Sequence, residues 1–163
     1  MRQSQRQYSV EDYFFVDVGS LIRYEYFDGE ILALSGGTRT RARISGNVVA
    51  FLDAALDGTD CEPYHSDMRV KTPSGLYTYP DVSVVCGEAE EIGEGDETTL
   101  LNPVLLEYLL IEQMRPSVEL RRRIADNRWT TATVEALDQS VHLASINVDL
   151  PLARVYKRVK FAR

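Results

Sequence analysis

Only one long stretch of this chain repeats its apolar residues at helical spacing. Ile44, Val48, Leu52, Ala55 and Leu56 fall on one stripe, between a candidate N-cap at Thr38 and a stop near Gly58. Most of the chain beyond Gly58 reads as short β-prone runs separated by turn residues. One good helix set early among many strands implies a sheet-based domain, either α/β or α+β, which pattern alone does not separate. With 163 residues, the chain is expected to be a single domain with a sizeable core.

Local signals place the other elements. Ser9 and Asp12 form a capping box that opens a short helix reaching about Val16. Asp28-Gly29 lies between "RYEYF" and "EILAL", a strong signal for a two-residue hairpin. Such a turn sets Phe27 opposite Glu30 and Glu25 opposite Leu32, so both glutamates share one face. Residues 61–72 and 76–86 read as strands around a Pro73-Ser74-Gly75 turn. "PVLLEYLLIEQ" reads as a strand buried on both faces. "SVELRRRIADNRWT" alternates, with Val118, Leu120 and Ile124 inward and a turn at Asp126-Asn127. One or two strands and a short helix near Leu152–Tyr156 close the chain.

Composition excludes some classes. No apolar run is long enough to span a bilayer, and the first residues lack the apolar core of a signal peptide, so the expected compartment is the cytoplasm. Cys61 and Cys86 have no zinc-ligand spacing and read as small buried hydrophobes; a disulfide between them is the alternative, which a reducing compartment disfavours. The net charge of −7 opposes nucleic-acid binding at first sight. However, residues 87–99 hold six acids and no base, which accounts for all but one unit of that charge. Two arginine groups stand out. Arg39, Arg41 and Arg43 crowd a helix start where the dipole disfavours cations. Arg121-Arg122-Arg123 lies on an alternating strand and reads as a solvated face.

The chain has no nucleophile elbow, phosphate-binding glycine loop or dinucleotide fingerprint. Metal-assisted phosphodiester hydrolysis fits better. It needs Asp and Glu oxygens to hold a divalent cation, commonly with a lysine beside them. Asp81 in "YPDVSVV" follows Pro80, which removes a ladder donor and favours a strand start. There Asp81 either begins a strand or also offers its carboxylate to a metal. Glu107, inside "VLLEYLL", is the second candidate, because a buried carboxylate requires a partner or a metal. No lysine accompanies it: Leu109 stands two residues on, and the only lysines are Lys71, Lys157 and Lys160.

"SVEDY", "YEYFDGEILALSGGT", "YPDVSVV", "NPVLL" and "EYLLIEQMRPSVEL" followed by "RRIADNRWT" together resemble a large bacterial family of restriction endonuclease-like proteins, within the PD-(D/E)xK nuclease superfamily. The resemblance implies a mixed central sheet flanked by helices, Mg²⁺ or Mn²⁺ as cofactor, DNA as substrate and Asp81 as metal ligand. It matches Glu25 or Glu30 to the acidic N-terminal position. A homodimer is a further possibility. Two departures stand out. Arg41 occupies the place of a family His. Leu106 runs straight into Glu107-Tyr108, where the family has a strand end with Glu, a helix carrying Asp and Lys, and only then a new Glu-Tyr strand. Roughly two dozen residues, the size of a crossover, are missing from the pattern. Glu107 is then either the catalytic Glu or the ordinary Glu of the later strand. Either a segment of the natural protein is absent from this sequence, or the chain is a shortened relative. In the second case it would be an interaction module with an incomplete site.

Overall fold

Local capping sets where the first helix begins. In the computed structural model, which describes residues 7–93, 98–101, 105–125 and 128–161, Asp12 N donates to Ser9 Oγ at 3.1 Å and Ser9 N donates to Asp12 Oδ2 at 2.9 Å. Helix α1 (Val10–Asp17) follows. Asp28 and Gly29 have φ of 47° and 83°, the left-handed pair that a tight hairpin requires. They join β1 (Tyr24–Phe27) to β2 (Glu30–Ala33) in the expected register, Phe27 opposite Glu30 and Glu25 opposite Leu32.

The chain's contacts group into two units. The first comprises the described residues of Met1–Gly36, Tyr64–Ser83 and Glu88–Pro103. Here β4 (Arg69–Lys71), β5 (Tyr77–Thr78), β7 (Glu91–Ile92) and β8 (Thr99–Leu101) join the hairpin in a six-stranded sheet of order β2-β1-β5-β4-β8-β7. Strands β4 and β8 run parallel and the other pairs antiparallel, so the sheet is mixed. With three helices among the described residues, the fold is α+β with a mixed central sheet. Helix α1 packs on β1, and Tyr13, Val70, Tyr77, Tyr79 and Leu100 are buried. The Tyr13 ring lies 5.4 Å from that of Tyr77 and 5.6 Å from that of Tyr26.

An ion pair lies inside this unit. Asp17 and Arg69 side chains are 0% and 2% exposed, with Arg69 Nη2 donating to Asp17 Oδ2 at 2.8 Å. Tyr79 OH donates to the same oxygen and accepts from Arg69 Nε at 2.9 Å. Tyr24 N donates to Asp17 Oδ1, and Arg69 Nη1 donates to Thr99 Oγ1. Burial raises the Tyr79 hydroxyl pKa, and its hydrogen bond to Asp17 adds to the shift, so Tyr79 keeps the proton it donates.

The second unit comprises the described residues of Gly37–Pro63, Val84–Gly87 and Val104–Arg163. Thr38 caps α2 (Arg39–Leu56) by accepting from Arg41 N. Ile44, Val48, Leu52 and Leu56 are buried as the spacing predicts, while Ala55 is exposed. Strands β9 (Glu107–Ile111), β10 (Val118–Ala125) and β11 (Arg128–Val134) form an antiparallel sheet of order β11-β10-β9. A hairpin of β12 (Ser140–Leu143) and β13 (Val148–Pro151) leads into α3 (Leu152–Val155). Asn47 Nδ2 donates to the carbonyls of Val155 and Lys157, tying α2 to the α3 end.

Several expectations are corrected. The strand expected over 61–72 divides into β3 (Cys61–His65) and β4, because Met68 N donates to His65 O and closes a turn. The strand expected over 76–86 divides into β5 and β6 (Val82–Cys86), with Pro80 in the gap. Strand β9 is not buried on both faces: Tyr108 and Leu110 are exposed, and Glu107, Leu109 and Ile111 are partly covered. Ile124 is 56% exposed rather than inward, because the register shifts between Arg123 and Ala125 and a bulge reverses the alternation. Cys61 and Cys86 are not buried hydrophobes but a disulfide joining the paired strands β3 and β6. The expected turn at Asp126-Asn127 and the start of "NPVLL" lie outside the described residues.

Removing one partner of the buried pair strands the other. Arg69→Met leaves Asp17 charged without its cation and is expected to lower stability by about 3–5 kcal/mol in urea unfolding. Adding Asp17→Leu to Arg69→Met is expected to recover much of that loss. A single variant as stable as the parent would show that the pair contributes nothing.

Candidate functional site

Tyr79 carries the buried network's hold to the candidate metal ligand. Its ring is 5% exposed and its hydroxyl lies between Asp17 and Arg69. Two residues on, past Pro80, Asp81 is exposed and immediately precedes β6. The sequence thus places a carboxylate in solvent at a strand start, two residues from a buried side chain. Glu25 lies nearby in the same unit: Tyr26 pairs with Tyr77, and Thr78 Oγ1 donates to Glu25 Oε1. Glu25 is half-buried, whereas Glu30, on the same hairpin face, is exposed.

Among the described residues, no three Asp, Glu, His or Cys side chains gather in a way that could hold a metal ion. The residues present therefore do not build a complete cation site. The lysine of this unit, Lys71, lies 5.4 Å from the Tyr77 ring centroid. It lines a shallow cleft of about 360 Å³ with Tyr26, Phe27, Ser74 and Gly75, a cleft that Asp81, Glu25 and Glu30 do not line.

In the second unit, Glu107 is held by protein alone. Its side chain is 7% exposed. Oε1 accepts from Arg122 Nε at 2.7 Å and from Ala144 N at 3.2 Å. Oε2 accepts from Ser145 N at 3.0 Å and from Ser145 Oγ at 2.5 Å. Burial pushes the Glu107 pKa up, but the bonds from Ser145, Arg122 and Ala144 outweigh burial and hold it below the usual range. Each oxygen already has two donors. The carboxylate ties β9 and β10 to the turn between β12 and β13.

Sequence reasoning did not find the Asp17–Arg69 network or the Ser145 turn. An arginine between Met68 and Val70 in a β-prone run was the available signal for the first. Nothing in "HLASINV" marks the second as a carboxylate receptor.

The model of the Uma2 family, described as "Putative restriction endonuclease", matches residues 10–106. The match ends one residue before Glu107. An uncharacterized protein of Synechocystis sp., slr1290, is 28% identical over 178 residues, covering 94% of this chain and 93% of its own length. A second Synechocystis protein, sll1609, is 26% identical over 133 residues, covering 64% of this chain and 75% of its own length. The crystal structure of a "putative nuclease belonging to DUF820" from Anabaena variabilis has a TM-score of 0.65 at 14% identity. It covers 85% of this chain and 92% of that one, a likeness of fold.

The Glu107 bonds make a pH prediction. A carboxylate whose folded pKa is lowered contributes stability that is present above its unfolded value, near 4.5, and lost as pH falls through the folded value. The parent chain should therefore lose stability on acidification below about 4.5 more steeply than Glu107→Gln. Urea unfolding at several pH values between 3 and 7 checks this. Parallel curves would exclude Glu107 as a source of the pH dependence.

Proposed function

Since this chain belongs to the Uma2 family of restriction endonuclease-like proteins, we propose that it acts on DNA, with Asp81 retained as the ligand for Mg²⁺ or Mn²⁺ and the rest of the hydrolytic site incomplete. The observation that carries this reading is the contrast between two carboxylates. Asp81 stands exposed to solvent at a strand start, two residues from a buried anchor, whereas the Glu107 side chain is 7% exposed and accepts four bonds from Arg122, Ala144 and Ser145. Glu107 is then the structural Glu of the later Glu-Tyr strand rather than a catalytic group. Two findings support the absence of a crossover between Leu106 and Glu107. The family match stops at Leu106, and the alignment with slr1290 is longer than this whole chain.

Oxygen ligands and negative potential suffice for weak cation binding. Hydrolysis needs more: an oriented water and stabilisation of charge that develops in the transition state. A bound cation would supply Lewis-acid chemistry, and Asp81 would hold it. Without the missing acid and lysine, the 163-residue chain is a nuclease-fold module that binds its substrate and turns it over poorly.

The test is nicking of supercoiled plasmid with Mn²⁺, run on this chain, on a chain with a family-length crossover inserted after Leu106, and on Asp81→Asn in each. Nicking is expected only from the lengthened chain, with Asp81→Asn abolishing it. Robust Asp81-dependent nicking by the short chain would show that its site is complete.

A further inference from the structure

The outer face of the β9–β11 sheet carries side chains that the proposed chemistry does not use. Directly opposed residues share a face, so the register places Tyr108, Arg121 and Thr131 in one row. Arg123 and Trp129 form the next row on the same face. Tyr108 is 46% exposed, Trp129 is 40% exposed, and Thr131 is exposed. The Arg123 guanidinium carbon lies 5.9 Å from the Trp129 ring centroid, and Arg123 Nε is buried without a hydrogen-bond partner. The Arg121 side chain is 49% exposed, and its Nε donates to Glu119 Oε1 at 2.7 Å, a surface pair open to exchange. Strand geometry separates the two rings by roughly 12 Å, with the arginines between them.

We propose that this face binds single-stranded nucleic acid, with bases stacking on Tyr108 and Trp129 and phosphates pairing with Arg121 and Arg123. Exposed aromatic rings interleaved with arginines are what such strands require: every base has a face to stack, and every linkage carries a charge. The local charge complements that ligand. On this face Arg121 and Arg123 stand with one acid, Glu119, while Arg122 lies on the opposite face and pairs with Glu107. The assignment rests on the proposal that the chain acts on nucleic acid and deepens it, without depending on the hydrolytic site.

Trp129 is the chain's single tryptophan, so its fluorescence reports this face alone. The experiment titrates the full chain with a dT oligonucleotide of about twelve residues in EDTA, following Trp129 emission and the anisotropy of a labelled oligonucleotide. Quenching is expected, with affinity falling as salt rises. Tyr108→Ala, Trp129→Ala and Arg121→Gln should each weaken binding about ten-fold, while Trp129→Phe should retain most of it. Circular dichroism confirms that each variant is folded. Two results would overturn the proposal. One is unquenched emission with equal affinities for parent and variants. The other is a parent dimer that Tyr108→Ala converts to monomer without binding the oligonucleotide, which would assign the face to a second copy of the chain. Because metal is absent, failure here and failure of the nicking assay are separable. Oligonucleotide binding without any nicking removes the hydrolytic reading alone, and nicking without binding at this face removes this one alone.

Discussion

The Asp17–Arg69 ion pair is the constraint on which the first unit depends. A carboxylate at the C-terminal end of a helix faces the negative end of the dipole, and burial adds a desolvation cost. Asp17 bears both, and it is tolerated because Arg69, Tyr79 and Tyr24 supply three donors to its two oxygens. Those donors come from β4, from the residue before Pro80, and from β1, and Arg69 reaches on to Thr99 of β8. One buried charge therefore fixes four chain segments. An apolar cluster of similar volume could stabilise the unit as well, but it would impose no comparable geometry. The consequence for function lies at Tyr79, because fixing that hydroxyl limits where Asp81, two residues on, can stand.

Glu107 shows the same chemistry with the opposite consequence. Its donors also come from distant segments, and they too outweigh desolvation. They occupy every position that a cation would need. A metal ligand must present oxygens that the protein has left underused, whereas a structural carboxylate is surrounded by its own donors. The two acids that sequence patterning put forward together differ in exposure: Asp81 faces solvent, and the Glu107 side chain is 7% exposed. For Glu107 the bracing role follows from its four bonds.

What was legible in the sequence was local. The Ser9–Asp12 capping box, the Asp28-Gly29 turn with its register, the Thr38 cap and the stripe from Ile44 to Leu56 each depend on residues a few positions apart, and the structure contains each of them, with Ala55 alone off the buried stripe. Strand continuity was not legible, because the break at 66–68 rests on a turn closed by Met68 N on His65 O, and the one around Pro80 falls inside a run that is β-prone on both sides. Ile124 was misplaced because one bulged residue reverses inside and outside. The disulfide was ranked second because composition suggests a compartment but says nothing of proximity. The Asp17–Arg69 pair joins residues 52 apart, and Glu107 meets Ser145 across 38. No periodicity encodes such pairs; they follow from the topology.

Net charge misleads for a related reason. The sum of −7 invites the conclusion that nucleic acid is repelled, yet most of it comes from the acidic residues 87–99. A phosphate at a surface responds to charges within about a Debye length, roughly 8 Å at physiological salt. At that range the potential over the Tyr108–Trp129 face is set by Arg121, Arg123 and Glu119, and the total over 163 residues does not set it. The distance between charges, which only the fold supplies, therefore decides what a phosphate meets at a given face, and the overall composition does not.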